Sequence, residues 1–267
     1  MADYDPHRYP DLDPRVEALV TEIIGRVADK WTMIVLEALA EALHARGNKV
    51  IVSGRRASAL EEVAAANPGI ATATLDVADA DDIARFAREI VAAHPALDVV
   101  LHNAGIMQAE KLVAPGSDLA IGEATIATNL LGPLRLNAAL LPHLLARPKA
   151  AVLTVSSGLA FVPLAATPTY SATKAAIHSW TQSLRHQLKG TNVDVIEIAP
   201  PAVATDLMPG HAENPNSMPL ADYIAETLAQ LEAGAAENLT ERVKFLRFAE
   251  ARGDYAQVFA LLNDGAH

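Results

Sequence analysis

Short β-rich runs alternate with longer stretches of helical periodicity over most of the chain, and this alternation limits the folds open to it. The runs typical of buried strands are residues 50–53, 99–102, 151–155 and 193–198. Amphipathic stretches such as residues 79–94 separate them, and the part from Pro219 onward is mostly helical. Consecutive parallel strands need a crossover connection, which is usually a helix and is right-handed. The pattern therefore predicts a doubly wound α/β fold, with a mostly parallel sheet covered by helices on both faces.

Composition narrows the class of protein. With 267 residues, 51% hydrophobic and 20% charged, the chain can bury the core of one large α/β domain or two small ones. The net charge of −11 argues against nucleic acid or an acidic membrane surface as the main partner. No apolar run reaches the about 18 residues that span a bilayer, and polar residues 1–14 do not resemble a secretory signal. We therefore expect a cytoplasmic protein without a membrane partner.

The inventory of metal-binding residue types predicts no metal site. The chain has no cysteine, which excludes disulfides, thiolate ligands and cysteine nucleophiles. Four scattered histidines show no metal-ligand spacing with a nearby carboxylate, and we expect them to be surface groups or satisfied by hydrogen bonds. They are His44, His94, His143 and His178.

Tyr170 and Lys174 lie at positions i and i+4 of a predicted helix and therefore share one face. A fixed positive charge beside a phenol favours the phenolate and lowers the phenol pKa, so that the tyrosine can exchange a proton with a substrate oxygen. Ser157, at a predicted strand end, could hold that same oxygen. Taken alone, the pair is also compatible with surface decoration, and the serine with a strand-end cap.

Several motifs in order resemble those of the short-chain dehydrogenase/reductase family, from about residue 38 to the C-terminus. The resemblance implies a Rossmann-like fold and an oxidoreductase that reduces a small carbonyl compound or oxidises an alcohol with a nicotinamide cofactor. Two positions differ from the family pattern: His102 stands for an asparagine and Pro201 for a glycine. The motifs are His102-Asn103-Ala104-Gly105, Asn129 within Thr128–Pro133, Ser157, the Tyr170/Lys174 pair, and Pro200-Pro201-Ala-Val203-Ala-Thr205.

The resemblance also assigns roles to these residues. Tyr170 would be the general acid or base, Lys174 would lower its pKa and bond the nicotinamide ribose, and Ser157 would orient the substrate oxygen. Asn129 would hold a water that joins Lys174 to solvent, although an asparagine bonded to buried backbone is the alternative. Further cofactor contacts would come from Asn103, Ala104, Gly105, Pro200, Val203 and Thr205.

Two adjacent arginines favour NADP over NAD. Arg55 and Arg56 follow a predicted strand where this family meets the adenosine ribose, and arginines bind a 2′-phosphate through bidentate hydrogen bonds. An acidic residue would favour NAD at this position. The alternative is that both arginines are solvated surface groups. Asp76 and Val77 resemble the pair that contacts adenine.

The N-terminal part departs from the family pattern. Residues 29–36, where the glycine-rich turn should lie, contain no glycine. Apolar residues at helical spacing instead predict two helices with a break near Ala28-Asp29, in place of the first strand and the turn. Residues 16–39 resemble the opening helices of HxlR-type winged-helix regulators. We therefore predict an atypical helical segment over residues 1–37, joined as a fusion to a dehydrogenase-like domain over residues 38–267.

Three functions follow from this combination. The first is an NADP-dependent oxidoreductase whose cofactor binding is weakened, because bulky Trp31, Met33, Ile34 and Leu36 replace the glycines that let backbone amides cradle the pyrophosphate. The second is a cofactor-impaired scaffold with an interaction or regulatory role. The third is a DNA-binding regulator, which the acidic charge and the lack of a recognition helix oppose. Helices over residues 119–145 and 170–188 resemble the family's dimer interface, so a homo-oligomer is expected.

Overall fold

The computed structural model describes residues 22–27, 32–113, 119–205, 207 and 214–264. Its seven strands form one sheet in the order β3-β2-β1-β4-β5-β6-β7, and every neighbouring pair is parallel. The strands are β1 Glu22–Val27, β2 Lys49–Gly54, β3 Ala71–Thr74, β4 Val99–His102, β5 Ala150–Val155, β6 Val193–Ala199 and β7 Glu237–Leu239. The predicted doubly wound, Rossmann-like α/β fold is confirmed.

Helices pack on both faces of this sheet. Those described are α1 Thr32–His44, α2 Ala57–Ala66, α3 Ala80–Ala93, α4 Leu119–Ile126, α5 Gly132–Leu145, α6 Pro168–Gln187, α7 Leu220–Glu232, α8 Glu241–Arg247, α9 Ala249–Arg252 and α10 Tyr255–Asp264. A π-helical turn, Ala127–Leu131, joins α4 to α5, and a 3₁₀ turn, Gly158–Ala160, follows β5. In the described part of the chain, no helix is both long and apolar enough to cross a bilayer.

The two faces of the sheet have separate hydrophobic cores, because successive strand residues point to opposite sides. In β2, Val50 and Val52 pack with α1, α2 and α7, whereas Ile51 between them packs with α3 and α5. The same alternation occurs in β5, where Ala151 and Leu153 face the first group of helices and Val152 faces the second. This double coverage explains why the strands read as continuous apolar runs.

The first strand corrects one expectation. Residues 22–27, which we expected to be helical, form β1 in the middle of the sheet, where Ile23 pairs with Val50 and Ile24 with Val100. The prediction that helices replace this strand is therefore wrong. The physical reason is that β1 is short and its apolar residues, Ile23, Ile24 and Val27, also fall at helical spacing, so their periodicity does not separate a short central strand from a helix.

Other parts of the N-terminal prediction have different outcomes. The second predicted helix is confirmed as α1. Residues 1–21 and 28–31, which include the predicted break at Ala28-Asp29 and Trp31, lie outside the described residues, so the likeness to a winged-helix regulator stays a prediction there. One short element near the C-terminus was missed: β7 lies within a stretch that we expected to be mostly helical.

All strands being parallel, their carboxyl ends lie along one edge of the sheet. Gly54 of β2, His102 of β4, Val155 of β5 and Ala199 of β6 end at this edge. In open α/β sheets, ligands bind in the crevice outside these ends. The motif residues Asn103–Gly105, Ser157 and Pro200–Thr205 follow β4, β5 and β6 closely, which places them on the same side of the molecule.

Candidate active site

Tyr170 and Lys174 lie on the same face of α6, as their spacing predicts, and both are buried. The Lys174 Nζ is 5.5 Å from the centroid of the Tyr170 ring. It donates a hydrogen bond of 2.8 Å to the carbonyl oxygen of Val155, the last residue of β5. The ammonium is therefore held at the carboxyl end of a central strand, beside the phenol ring.

The protonation of this pair differs from the expectation. Burial raises the pKa of Tyr170 to about 12, although a hydrogen bond with Ser157 acts to lower it. Burial also lowers the pKa of Lys174 to about 8. We expected the lysine charge to bring the tyrosine pKa toward neutrality, and that is not the state of the protein in this structure. Removal of both groups from water outweighs their mutual interaction, since desolvation penalises each charged form.

Ser157 connects β5 to the tyrosine. Its Oγ accepts a hydrogen bond of 3.1 Å from the backbone N–H of Leu159 and so caps the 3₁₀ turn. The same hydroxyl acts to lower the pKa of Tyr170. The interpretation of this serine as a cap at a strand end is therefore met by the geometry, whereas its role in orienting a substrate oxygen stays a prediction.

Asn129 lies in the π-helical turn and is 1% exposed. Its Oδ1 accepts from the backbone N–H of Ile106 at 2.8 Å, and its Nδ2 donates to the carbonyl oxygen of Ile106 at 2.9 Å and to Thr173 Oγ1 at 3.3 Å. π turns inside α-helices occur frequently at functional sites. The asparagine thus fixes the segment after β4 against α6, in accord with the alternative that it bonds buried backbone.

Gly105 allows the segment after β4 to approach this cluster closely. A Cβ placed on Gly105 would lie 3.5 Å from Asn129 Oδ1 and 3.6 Å from Lys174 Nζ. A larger side chain at this position would reach into the space beside the ammonium. Close packing against Asn129 and Lys174 therefore explains the glycine in the Asn103-Ala104-Gly105 motif.

A cavity of about 540 Å³ opens over the carboxyl ends of β4, β5 and β6. Ser157, Tyr170 and Lys174 lie on its wall, whereas Asn129 and Ala104 are buried behind it. The candidate cofactor residues that also line it are Asn103, Gly105, Pro200, Val203 and Thr205. The structure therefore brings most of the residues predicted from separate motifs into one space.

The opposite wall of the cavity was missed in the sequence. It consists of apolar side chains from the loop before α6, from α8 and from α10, together with neighbours of the motif residues. They are Met107, Leu159, Leu164, Leu246, Leu261 and Leu262. Leucines at helical spacing are ordinary core candidates, so the sequence carried no signal that these ones face a cavity.

The residues proposed to hold the adenosine end lie further along the same edge and do not line this cavity. Arg55 and Arg56 are exposed and follow β2. Asp76 follows β3, and its Oδ1 accepts from the backbone N–H of Ala78 at 2.9 Å. Val77 is buried against α5, where a Cβ on Gly132 would lie 2.7 Å from the Val77 carbonyl oxygen.

His178 takes part in a buried ionic network that the sequence did not indicate. Its Nδ1 lies 2.9 and 2.8 Å from the two carboxylate oxygens of Glu197, which is fully buried. Glu197 pairs in register with Glu237 of β7, and Arg247 bonds Glu237 at 3.3 Å. The ligand atoms of His178, Glu197 and Glu237 lie within 4.8 Å of one another. Because each group already has an oppositely charged or hydrogen-bonding partner, we interpret the cluster as a structural salt-bridge network.

The comparisons with known proteins identify the family. A family model described as short chain dehydrogenase matches residues 37–216. The chain is also 38% identical over 229 residues to DltE of Bacillus subtilis (strain 168), described as an uncharacterized oxidoreductase, and this match covers 84% of the chain and 90% of DltE. The chain therefore belongs to the short-chain dehydrogenase family of oxidoreductases. The family match begins next to the predicted boundary at residue 38, while the division into two segments stays a prediction.

Solved structures agree with this assignment. A short chain dehydrogenase from Burkholderia cenocepacia J2315, in complex with NADP, superposes with a TM-score of 0.74 at 24% identity, covering 91% of this chain and 98% of that one. A short-chain dehydrogenase from Sphingobium yanoikuyae, in complex with NADPH, gives 0.72 at 19% identity, covering 90% and 96%. At these identities the likeness establishes the fold.

Proposed function

We propose that the chain is an NADP-dependent oxidoreductase that interconverts a small carbonyl compound and the corresponding alcohol, with Ser157, Tyr170 and Lys174 as its catalytic residues. One observation carries this proposal. Ser157, Tyr170 and Lys174 lie together on the wall of a cavity of about 540 Å³ at the carboxyl end of β5, with the Lys174 Nζ 5.5 Å from the centroid of the Tyr170 ring. A substrate oxygen placed between the two hydroxyls would meet a proton donor and a second hydrogen-bonding group.

The protonation state of Tyr170 suits carbonyl reduction. With a pKa of about 12, the phenol carries its proton at neutral pH. Ser157 orients the substrate oxygen, and Tyr170 Oη gives its proton to that oxygen as the carbonyl carbon gains a hydride. When bound, the nicotinamide supplies this hydride. Lys174, protonated below a pKa of about 8, stabilises the tyrosinate left behind, since a cation at short range favours the anionic phenol.

Features along the sheet edge fit a dinucleotide phosphate. Arg55 and Arg56 place two exposed cations after β2, where guanidinium groups suit a 2′-phosphate. Gly105 leaves room beside Lys174 and Asn129. The two solved structures that superpose on this fold contain NADP and NADPH, and each covers at least 90% of this chain. This supports the choice of cofactor. Asp76 and Val77 are proposed to contact the adenine, and Asn103, Ala104, Pro200, Val203 and Thr205 the nicotinamide half.

The connection between β1 and α1 makes cofactor binding weak in this proposal. Only residues 28–31 separate the strand from the helix, and none of them is glycine. Glycines at this turn normally let backbone amides approach the pyrophosphate at the helix N-terminus. Titration of the protein with NADPH, followed by fluorescence, measures the effect. A Kd in the micromolar range or below contradicts weak binding.

Activity is tested by NADPH consumption with a panel of aldehydes and ketones. The wild type is expected to turn over at least one of them, and Tyr170→Phe to lose about 10²-fold or more in kcat, because it lacks the transferable proton. Equal rates for the two proteins would overturn the role of Tyr170. The NADPH affinity of both proteins serves as the control. It should be similar in the two, since the substitution removes only the phenol oxygen.

A second candidate function rests on the missing glycines alone. If NADPH does not bind, the chain acts as a dehydrogenase scaffold with an interaction role. The proposed fusion with an N-terminal segment similar to a winged-helix regulator belongs to this alternative. In that case the sheet still has β1 near its centre, and the sequence between β1 and α1 lacks the glycines of a phosphate-binding turn. Absence of NADPH binding together with absence of turnover across the panel would select this alternative.

The proposed assembly is a homo-oligomer. Ile126 at the end of α4 and Leu131 in the π turn are 41% and 37% exposed, which leaves apolar surface on the helices expected to pair two chains. Light scattering coupled to size exclusion measures the mass in solution. A mass of one chain at all concentrations would overturn this proposal.

A further inference from the structure

We infer that the site takes an apolar carbonyl compound with no charged group, and that Asn263 on α10 positions the wall that selects it. This inference rests on the proposed oxidoreductase function. It concerns the part of the cavity that lies away from Ser157 and Tyr170, where the substrate's non-reacting portion would lie.

The described part of the cavity wall carries no ionisable side chain outside the catalytic cluster. Among the described residues that line it, Tyr170 and Lys174 are the only ionisable ones. The ammonium of Lys174 is committed to the Val155 carbonyl at the catalytic end. The apolar wall of the cavity is formed by Met107, Leu159, Leu164, Leu246, Leu261 and Leu262, and the uncharged polar side chains of Asn214 and Asn216 also line the cavity.

This composition discriminates by charge. A carboxylate or phosphate moved against leucine side chains loses its hydration and gains no compensating cation from the described lining residues. A methylene group in the same place gains about fourfold in affinity when fully buried. An uncharged aliphatic or aromatic portion is therefore favoured over a charged one of equal size, and the preference grows with chain length until the wall is covered.

One side chain joins two of the elements that supply this wall, the C-terminal helix α10 and the loop before α6. Asn263 Nδ2 donates to the carbonyl oxygen of Pro163 at 3.2 Å, and its Oδ1 accepts from the backbone N–H of Ala165 at 2.6 Å. These two residues flank Leu164, and Asn263 itself follows Leu262. Both leucines line the cavity.

Few other contacts hold α10 in place. Val258 is its one described residue in the buried hydrophobic set, and it packs with Val162 and Ala249, with Tyr255 and Leu262 partly buried beside them. A ten-residue helix anchored by so small a cluster depends on directional bonds for its exact position. Asn263 is therefore a positioning residue: it acts on substrate through Leu164 and Leu262 and touches no reacting atom.

The substrate class is tested with three ketones. The first is a straight-chain methyl ketone of eight carbons, and the second is the same ketone with its far methyl replaced by a carboxylate. The third is acetone, which is too short to cover the apolar wall. We expect kcat/KM for the neutral long ketone to exceed that for the carboxylate by about 100-fold or more, with acetone between them. Equal kcat/KM for the two long ketones overturns the inference.

Variants of the wall test the same point from the protein side. Leu246→Lys places an ammonium in the wall and is expected to reduce the 100-fold preference by at least tenfold, chiefly by lowering KM for the carboxylate.

Asn263→Ala is expected to raise KM for the neutral long ketone about tenfold while kcat/KM for acetone and NADPH affinity stay unchanged. Asn263→Asp, which keeps the acceptor for Ala165, should restore part of the loss, and Asp264→Ala on the same helix is the matched control. An unchanged KM in Asn263→Ala overturns the positioning role.

Failure of the proposed function gives a different result. If no ketone, including acetone, is reduced, calorimetric binding of the two long ketones to the protein still tests the wall. Binding of the neutral ketone alone supports the inference about the ligand class even though the catalytic proposal has failed. Equal binding of both, or binding of neither, overturns it.

Discussion

The ammonium of Lys174 lies 2.8 Å from the carbonyl oxygen of Val155, and this bond is the polar contact that holds it at the end of the central strand. A backbone carbonyl is a neutral partner, and among the described residues no carboxylate forms an ion pair with this buried amine. Burial accordingly lowers its pKa to about 8. Lys174, which the proposed chemistry needs, therefore lowers the stability of the folded protein when it is charged.

The pH dependence of stability follows from this lysine. Its pKa is 10.5 in the unfolded chain and about 8 in the folded protein. Between these values the unfolded state holds a proton that the folded state has lost, so the free energy of unfolding rises with pH from about 8 to about 10.5. Below pH 8 both states are protonated and the burial cost, roughly 3 kcal/mol, is fully present.

Lys174→Met is therefore expected to stabilise the folded protein at pH 7 and to lose activity. Urea denaturation of both proteins at pH 7 and at pH 10 measures this. The stability gain of the variant should shrink by about 2 kcal/mol at the higher pH. A gain that does not depend on pH would contradict the assignment of the cost to a buried charge.

Asn129→Ala is expected to destabilise the protein by about 3 kcal/mol. The substitution leaves the buried N–H and carbonyl of Ile106 without their partners, and each unsatisfied backbone group costs about 1–3 kcal/mol. Asn129→Asp keeps the acceptor for the N–H and should lose less. Thermal and urea unfolding compare the three proteins. A loss below about 0.5 kcal/mol for the alanine variant would mean that water replaces the amide.

His178→Ala is expected to cost about 3 kcal/mol, because it leaves the fully buried Glu197 carboxylate unpaired beside Glu237. His186→Ala, an exposed histidine in the last turn of the same helix, is the matched control and should change stability by about 0.5 kcal/mol or less. Chemical denaturation at pH 7 compares both variants with wild type. Equal effects of the two substitutions would show that the network does not stabilise the fold.

Gly132→Ala is expected to disturb the proposed adenosine site from a distance. An added Cβ would lie 2.7 Å from the carbonyl oxygen of Val77, so the backbone there must shift, at a cost of about 1–3 kcal/mol. Because Asp76 and Val77 are proposed to contact adenine, NADPH affinity should fall as well. Arg135→Ala, exposed on the same helix, is the control. Unchanged NADPH affinity in a destabilised Gly132→Ala variant would separate this segment from cofactor binding.

Local patterns in the sequence were sufficient for much of the architecture. Strands β2, β4, β5 and β6 and helix α6 were predicted because a buried strand and an amphipathic helix each leave a periodic signature within a few residues. The Tyr170/Lys174 pair was accessible for the same reason, since one helical turn places both side chains on one face. The ordered motifs also predicted that Ser157 and Asn103 lie at the same sheet edge.

Other properties depend on contacts between distant segments. The position of β1 was decided by its pairing with β2 and β4, since its short apolar run suits a helix equally well. The pKa values of Tyr170 and Lys174 were decided by burial, which no local pattern reports and which reversed the shift expected for the tyrosine. The apolar wall around Leu246 and Leu262 and the His178–Glu197–Glu237 network join elements far apart in the chain. Only packing of the whole domain determines which of these side chains meet, because their contacts are set by the arrangement of layers and not by spacing along the chain.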